Sequence, residues 1–141
     1  MNRNPGLISK VSPRVYRATK TSDQSITTSD IRINYDTVAI DEDGAITTGE
    51  SWVFTARRAG YYIFNARIAR QNGGEIFGNW VVSGTKMPDI QIPATSSWNS
   101  GVMMLYKKLE VGETVYVVEH GGEGTYDSVY DQMWFEAIYI G

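Results

Sequence analysis

The stretch Phe54-Thr55-Ala56-Arg57-Arg58-Ala59-Gly60-Tyr61-Tyr62-Ile63-Phe64-Asn65-Ala66-Arg67-Ile68 decides the fold. It predicts the end of one strand, a tight turn at Gly60 and a long strand rich in β-formers. Gly60 suits a turn because, lacking a Cβ, it takes backbone angles closed to other residues. Strict alternation then puts Tyr62, Phe64, Ala66 and Ile68 on one face of a sheet. Tyr61, Ile63, Asn65, Arg67 and Ala69 take the other. A strand with large apolar groups on both faces belongs in the middle of something. Either a two-sheet sandwich meets another subunit through its outer face, or the sandwich carries a greasy surface.

Working outward, the same alternation recurs. Short strands are expected at Val15–Thr19, Ile31–Tyr35, Thr37–Ile40, Ala45–Thr48 and Trp52–Thr55. Others follow at Glu75–Ser83, Ile90–Ile92, Gly101–Leu109, Thr114–Val118 and Gln132–Ile140. Asp43-Gly44 is a strong hairpin signal between alternating runs. No segment shows a sustained helical apolar period, so helix should be scarce. Short strands separated by Gly-, Asp- and Ser-rich turns indicate an antiparallel sandwich or jelly roll. The last strand, apolar almost to the chain end, is expected in the interior of a sheet, since an exposed edge of that kind invites aggregation.

With 141 residues and no cysteine, the chain reads as one domain whose core needs no disulfide staples. No apolar run approaches the ~20 residues of a membrane span. No apolar signal region follows Met1-Asn2-Arg3-Asn4-Pro5-Gly6, which speaks against Sec-type export. Charge is uneven. Residues 1–20 hold five basic residues and no acid, leaving eight of the 13 basic residues against 16 acids in the rest. The expected organisation is an extended basic arm over 1–14 and a jelly-roll domain over 15–141. Arg3, Lys10 and Arg14 would steer the arm to an anionic partner; a solvated, frayed terminus is the alternative.

The order of several pieces resembles the trimeric jelly roll shared by the complement subcomponent q globular head and the tumour necrosis factor group. They are Tyr35-Asp36-Thr37-Val38, Trp52-Val53-Phe54-Thr55-Ala56, Ala59-Gly60-Tyr61-Tyr62-Ile63-Phe64, Ser100-Gly101-Val102 to Leu109, the Leu109-Glu110-Val111-Gly112-Glu113-Thr114-Val115 turn and Phe135-Glu136-Ala137-Ile138. The resemblance covers roughly Tyr16 to Gly141. It implies an all-β, antiparallel two-sheet jelly-roll sandwich forming a compact homotrimer. Glu136-Ala137 stands where Ser-Gly is common in animal members and looks more like microbial and bacteriophage ones. A nearly all-head chain without collagen-like or coiled-coil stalk resembles a phage virion component. The implied role is a capsid decoration protein on the virion surface, partnered by the major capsid protein. The alternative is the receptor-binding tip of a fibre recognising a host glycan or protein.

Two-faced strands place the subunit interface at Tyr61, Ile63, Tyr116, Val118, Trp134 and Ile138, with the assignment of core face and interface face left open. Trp98, Tyr126 and Tyr130, beside Gly-rich neighbours, form a candidate ligand loop suited to adaptable recognition or sugar stacking. Chemistry-bearing candidates are few. His120 is the only histidine, which excludes a His-rich metal site, and nothing resembles a nucleophile elbow. Asp41-Glu42-Asp43-Gly44 lacks the later ligands of a hand-type calcium loop. The expectation is a non-enzymatic protein with no cofactor, no metal, no nucleic acid and no membrane partner.

Overall fold

The computed structural model describes residues 13–26, 30–71, 74–95, 98–120, 124–125 and 132–141. In chain order its strands are β1 (Arg14–Thr19), β2 (Ser25–Ile26), β3 (Ile31–Arg32), β4 (Thr37–Ile40), β5 (Ile46–Thr47), β6 (Val53–Thr55) and β7 (Gly60–Arg70). They continue with β8 (Ile76–Val82), β9 (Thr85–Lys86), β10 (Ile90–Ile92), β11 (Asn99–Leu109), β12 (Thr114–His120), β13 (Gly124–Thr125) and β14 (Trp134–Tyr139). The described residues contain no helix.

Two antiparallel sheets face each other. The first runs β11-β7-β14-β1-β4; the second runs β10-β8-β12-β6-β5, with β3 on β12 and β9 on β8. A two-stranded ribbon, β13-β2, stands apart. This is the antiparallel two-sheet sandwich that the alternating pattern implied. The chain-terminal strand β14 lies between β7 and β1, inside its sheet as expected.

Alternation fixes the core because successive side chains leave a strand on opposite sides. Tyr62, Phe64, Ala66 and Ile68 of β7 are fully buried, as are Phe135 and Ala137 of β14 and Val115 and Val117 of β12. Phe54 sits at the centre, its ring 5.1 Å from Tyr16, 5.6 Å from Tyr62 and 5.2 Å from Phe64, all near edge-to-face. Such pairs add about 0.5–1.5 kcal/mol each beyond the area they bury. Trp52 extends the cluster, 4.7 Å from Phe135, and its indole N–H donates to the Tyr35 carbonyl at 3.0 Å. That bond removes the penalty a buried indole would otherwise carry.

Two turn signals act differently from their sequence reading. Neither Asp43-Gly44 nor Gly60 closes a hairpin. Strand β4 belongs to the first sheet and β5 to the second, so Asp43-Gly44 carries the chain between layers. Likewise β6 and β7 lie in opposite sheets; residues 56–59 make the crossing and Gly60 opens β7. Gly60 is still required, at φ +143°, because a Cβ there would stand 2.8 Å from the Gly141 carbonyl carbon and from Tyr139 Cε2. The tight hairpin lies instead at Ser83-Gly84 between β8 and β9, where both residues have positive φ. The expected strand over Ile31–Tyr35 shortens to Ile31–Arg32, after which Ile33 and Tyr35 turn into the core.

Candidate functional site

Register places the outward side chains of the first sheet in rows. One row reads Tyr106 (β11), Ile63 (β7), Ile138 (β14) and Val15 (β1). The next reads Met104, Asn65, Glu136, Arg17 and, on β4, Ile40. A third reads Val102, Arg67, Trp134 and Thr19. Ten large hydrophobic residues are exposed among the described ones, and eight belong to these strands or the residue after β14: Val15, Val38, Ile40, Tyr61, Val102, Met104, Tyr106 and Ile140. Met104 is 68% exposed, Tyr106 58% and Val102 54%. The Tyr61 and Tyr106 rings stack at 5.6 Å and 10°, with Lys108 Nζ 5.9 Å from the Tyr61 ring centre. A sheet face that exposes this much apolar surface marks an interaction surface.

Four of the six expected interface residues, Tyr61, Ile63, Trp134 and Ile138, share this face. Tyr116 and Val118 do not. They lie on β12, in the other sheet, on its outward side. That side is covered by the chain itself: Arg32 lies 3.5 Å over the Tyr116 ring, and Val118 is 6% exposed beside Arg32 and Asn79. β9 and β10 extend the sheet along β8, and between them Met87 O and Asp89 accept from Asn79 Nδ2 at 3.0 and 2.6 Å. Sequence parity alone could not separate a face covered by a loop from a face left open.

The basic N-terminal run is largely consumed within the fold. Arg3 and Lys10 lie outside the described residues. Arg14 is the first residue of β1, not part of an arm, and it pairs with Glu42. Arg17 pairs with Glu136 at 3.3 Å while its guanidinium lies 5.4 Å from the Trp134 ring centre. Lys20 is buried, donating to Gln24 Oε1 at 3.1 Å and Asn34 O at 3.0 Å. Burial pushes its ammonium below the ordinary lysine range, against the pull of Asp36 and Asp23.

The acidic turn is similarly engaged. Asp41 accepts the Ala45 and Ile46 amides at 2.7 and 2.8 Å. Asp43 accepts Arg58 at 3.0 Å and the Tyr16 hydroxyl. Those hydrogen bonds, Arg58 first, hold its carboxyl below the ordinary range, and burial pushes the Tyr16 hydroxyl above its own. Among the described residues no three His, Cys, Asp or Glu side chains are grouped to hold a metal ion. His120 stacks on Phe77 at 5.5 Å, with Nε2 3.1 Å from Asp89. Trp98 is 47% exposed; Tyr126 and Tyr130 lie outside the described residues.

No family model and no curated protein matches the chain. Solved structures do. The globular domain of zebrafish complement 1qA superposes with a TM-score of 0.70 at 11% identity, covering 91% of this chain and 98% of that one. Murine APRIL at pH 5.0 gives 0.71 at 9% identity over 92% and 100%. Eiger TNF from S. frugiperda gives 0.59 at 11% identity over 92% and 93%. The chain therefore has the jelly-roll fold of complement 1q globular domains and tumour necrosis factors. At these identities the likeness is one of fold.

Proposed function

We propose that the chain is a non-enzymatic, homotrimeric virion protein of a bacteriophage, and that its trimer forms through the outward face of the first sheet. The observation that carries self-association is the cluster of seven exposed hydrophobic residues on that face, Val15, Ile40, Tyr61, Val102, Met104, Tyr106 and Ile140. The occupant is a second copy. The exposed row Val102, Met104 and Tyr106 lies on β11, one edge of the sheet, while Val15, Val38 and Ile40 lie at the opposite edge. Two different apolar patches on one molecule suit a head-to-tail contact, which gives a ring when the rotation between copies closes.

Within the virion, the reading is a capsid decoration protein. It is supported by the sequence resemblance to phage members and by Arg3 and Lys10 preceding an otherwise acidic chain. Arg14, Arg17 and Lys20 are taken up by the fold, so any arm contact with the capsid falls to residues 1–12. Three arms on one trimer reinforce one another through effective concentration. Deleting residues 1–12 should leave the trimer folded and greatly reduce its binding to undecorated capsids. Equal binding by the truncated trimer would overturn the arm's role. Exposed Trp98 favours a second reading, a fibre tip recognising a host glycan or protein. Binding of both forms to host cells but of neither to capsids would select it.

A further inference from the structure

Glu136 is the only acidic residue in the five strands of the first sheet, which hold six basic ones: Arg14, Arg17, Arg67, Arg70, Lys107 and Lys108. On the outward face, register sets Glu136 against three cations. Arg17 is its cross-strand partner on β1, Arg67 lies one row away beside Trp134, and Lys108 stands at the Tyr61 end of the face. Asn65 flanks Glu136 on β7. Arg67 is held on the same face by its bond to Ser100 Oγ at 3.0 Å. The face thus mixes apolar side chains with a cation at each end, Lys108 beside Tyr61 and Arg67 beside Trp134, and is crossed in its middle by one ion pair.

We propose that Glu136 is the charge-balancing residue of the self-association face, and that copies of this chain assemble only while its carboxylate offsets Arg17. The inference rests on the trimer reading above. Burying the face removes water from Arg17, and a buried cation left unpaired is strongly unfavourable. With Glu136 in place each copy brings a face of formal +2; without it each brings +3, and like charges set against each other repel. The Arg17 guanidinium lies beside both Glu136 and Trp134, so its position over the apolar surface also depends on that carboxylate.

The test is sedimentation equilibrium of three proteins in low salt and in about 1 M NaCl, where screening shortens to about 3 Å. Wild type should sediment as a trimer in both. Glu136→Gln should weaken association by at least about tenfold in low salt, and high salt should recover the part of that loss that comes from repulsion between the faces. The exchange Arg17→Glu with Glu136→Arg keeps the face charge and the pair, and should associate more tightly than Glu136→Gln. Cooperative thermal unfolding of each variant confirms that it folds. If Glu136→Gln trimerises as tightly as wild type in low salt, or if its weakening is indifferent to salt, the proposal is overturned while the trimer stands. A monomeric wild type overturns the trimer reading itself.

Discussion

Gly60 and Gly141 bring the start of β7 against the C-terminus: Tyr61 N donates to Gly141 O at 3.3 Å and Ile140 N to Tyr61 O at 3.0 Å. No side chain fits between them. Gly60→Ala should destabilise the protein by about 2–3 kcal/mol, since a Cβ must displace the terminal strand and adopt a positive φ. Gly112→Ala, at φ +92° with open space around it, should cost only about 1 kcal/mol of backbone strain. Urea unfolding at one protein concentration compares the two. Equal losses would mean that the C-terminal contact contributes nothing.

Asp36 ties the chain after β1 to the start of β4. Partial burial raises its carboxyl, but hydrogen bonds from Ser22, Thr21 and Thr37 outweigh it and hold the group at about 2, below its ordinary 3.8. The folded state therefore binds this proton less readily than the unfolded one. The resulting stability is fully present above about pH 5 and is lost as pH falls through 3.8 towards 2. After allowance for solvent screening it amounts to about 1–2 kcal/mol. Asp36→Asn should lower stability at pH 7 and flatten its decline between pH 5 and 2. An unchanged acid slope would remove Asp36 from the account.

The acidic turn is held by its own chain, Asp41 by amides and Asp43 by Arg58 and Tyr16. Chelation of divalent ions should therefore leave the melting temperature within about 2 °C. A fall of more than about 10 °C, over one or two kcal/mol for a chain of this size, would show an ion bound there. Asp43→Ala should cost about 2–3 kcal/mol regardless of added calcium, because it strands the Tyr16 hydroxyl.

How far the sequence carried depended on whether a feature is local. Period-two alternation placed Tyr62, Phe64, Ala66, Ile68, Phe135 and Ala137 in the core, because a strand has only two sides. The same periodicity gives Tyr116 and Val118 the parity of an exposed face, yet Arg32 lies over Tyr116 and Val118 is buried. Which outward face a loop covers is a long-range fact. Asp43-Gly44 and Gly60 announced changes of chain direction, but turn chemistry sets φ and ψ, not which sheet receives the next strand. Arg14, expected at the end of a basic arm over 1–14, instead opens β1. Its partner Glu42 comes from a distant position that no linear count pairs with it.

The apolar face makes a specific demand on substitutions. Met104→Glu or Tyr106→Glu places a charge where water should be excluded. Either should dissociate the assembly while leaving the core cluster around Phe54 intact, with monomer unfolding still cooperative. Charging Tyr116 instead, under Arg32 in the other sheet, should lower stability without separating subunits. A size measurement alongside thermal unfolding distinguishes the two. Dissociation caused by the Tyr116 change would move the interface to the wrong sheet.

The most direct measurement is the mass of the native protein in solution. Light scattering at micromolar concentration should return three times 15.8 kDa, because the proposed trimer covers the seven exposed hydrophobic residues on the outward face of the first sheet. A clean 15.8 kDa monomer that remains soluble at that concentration would contradict the account.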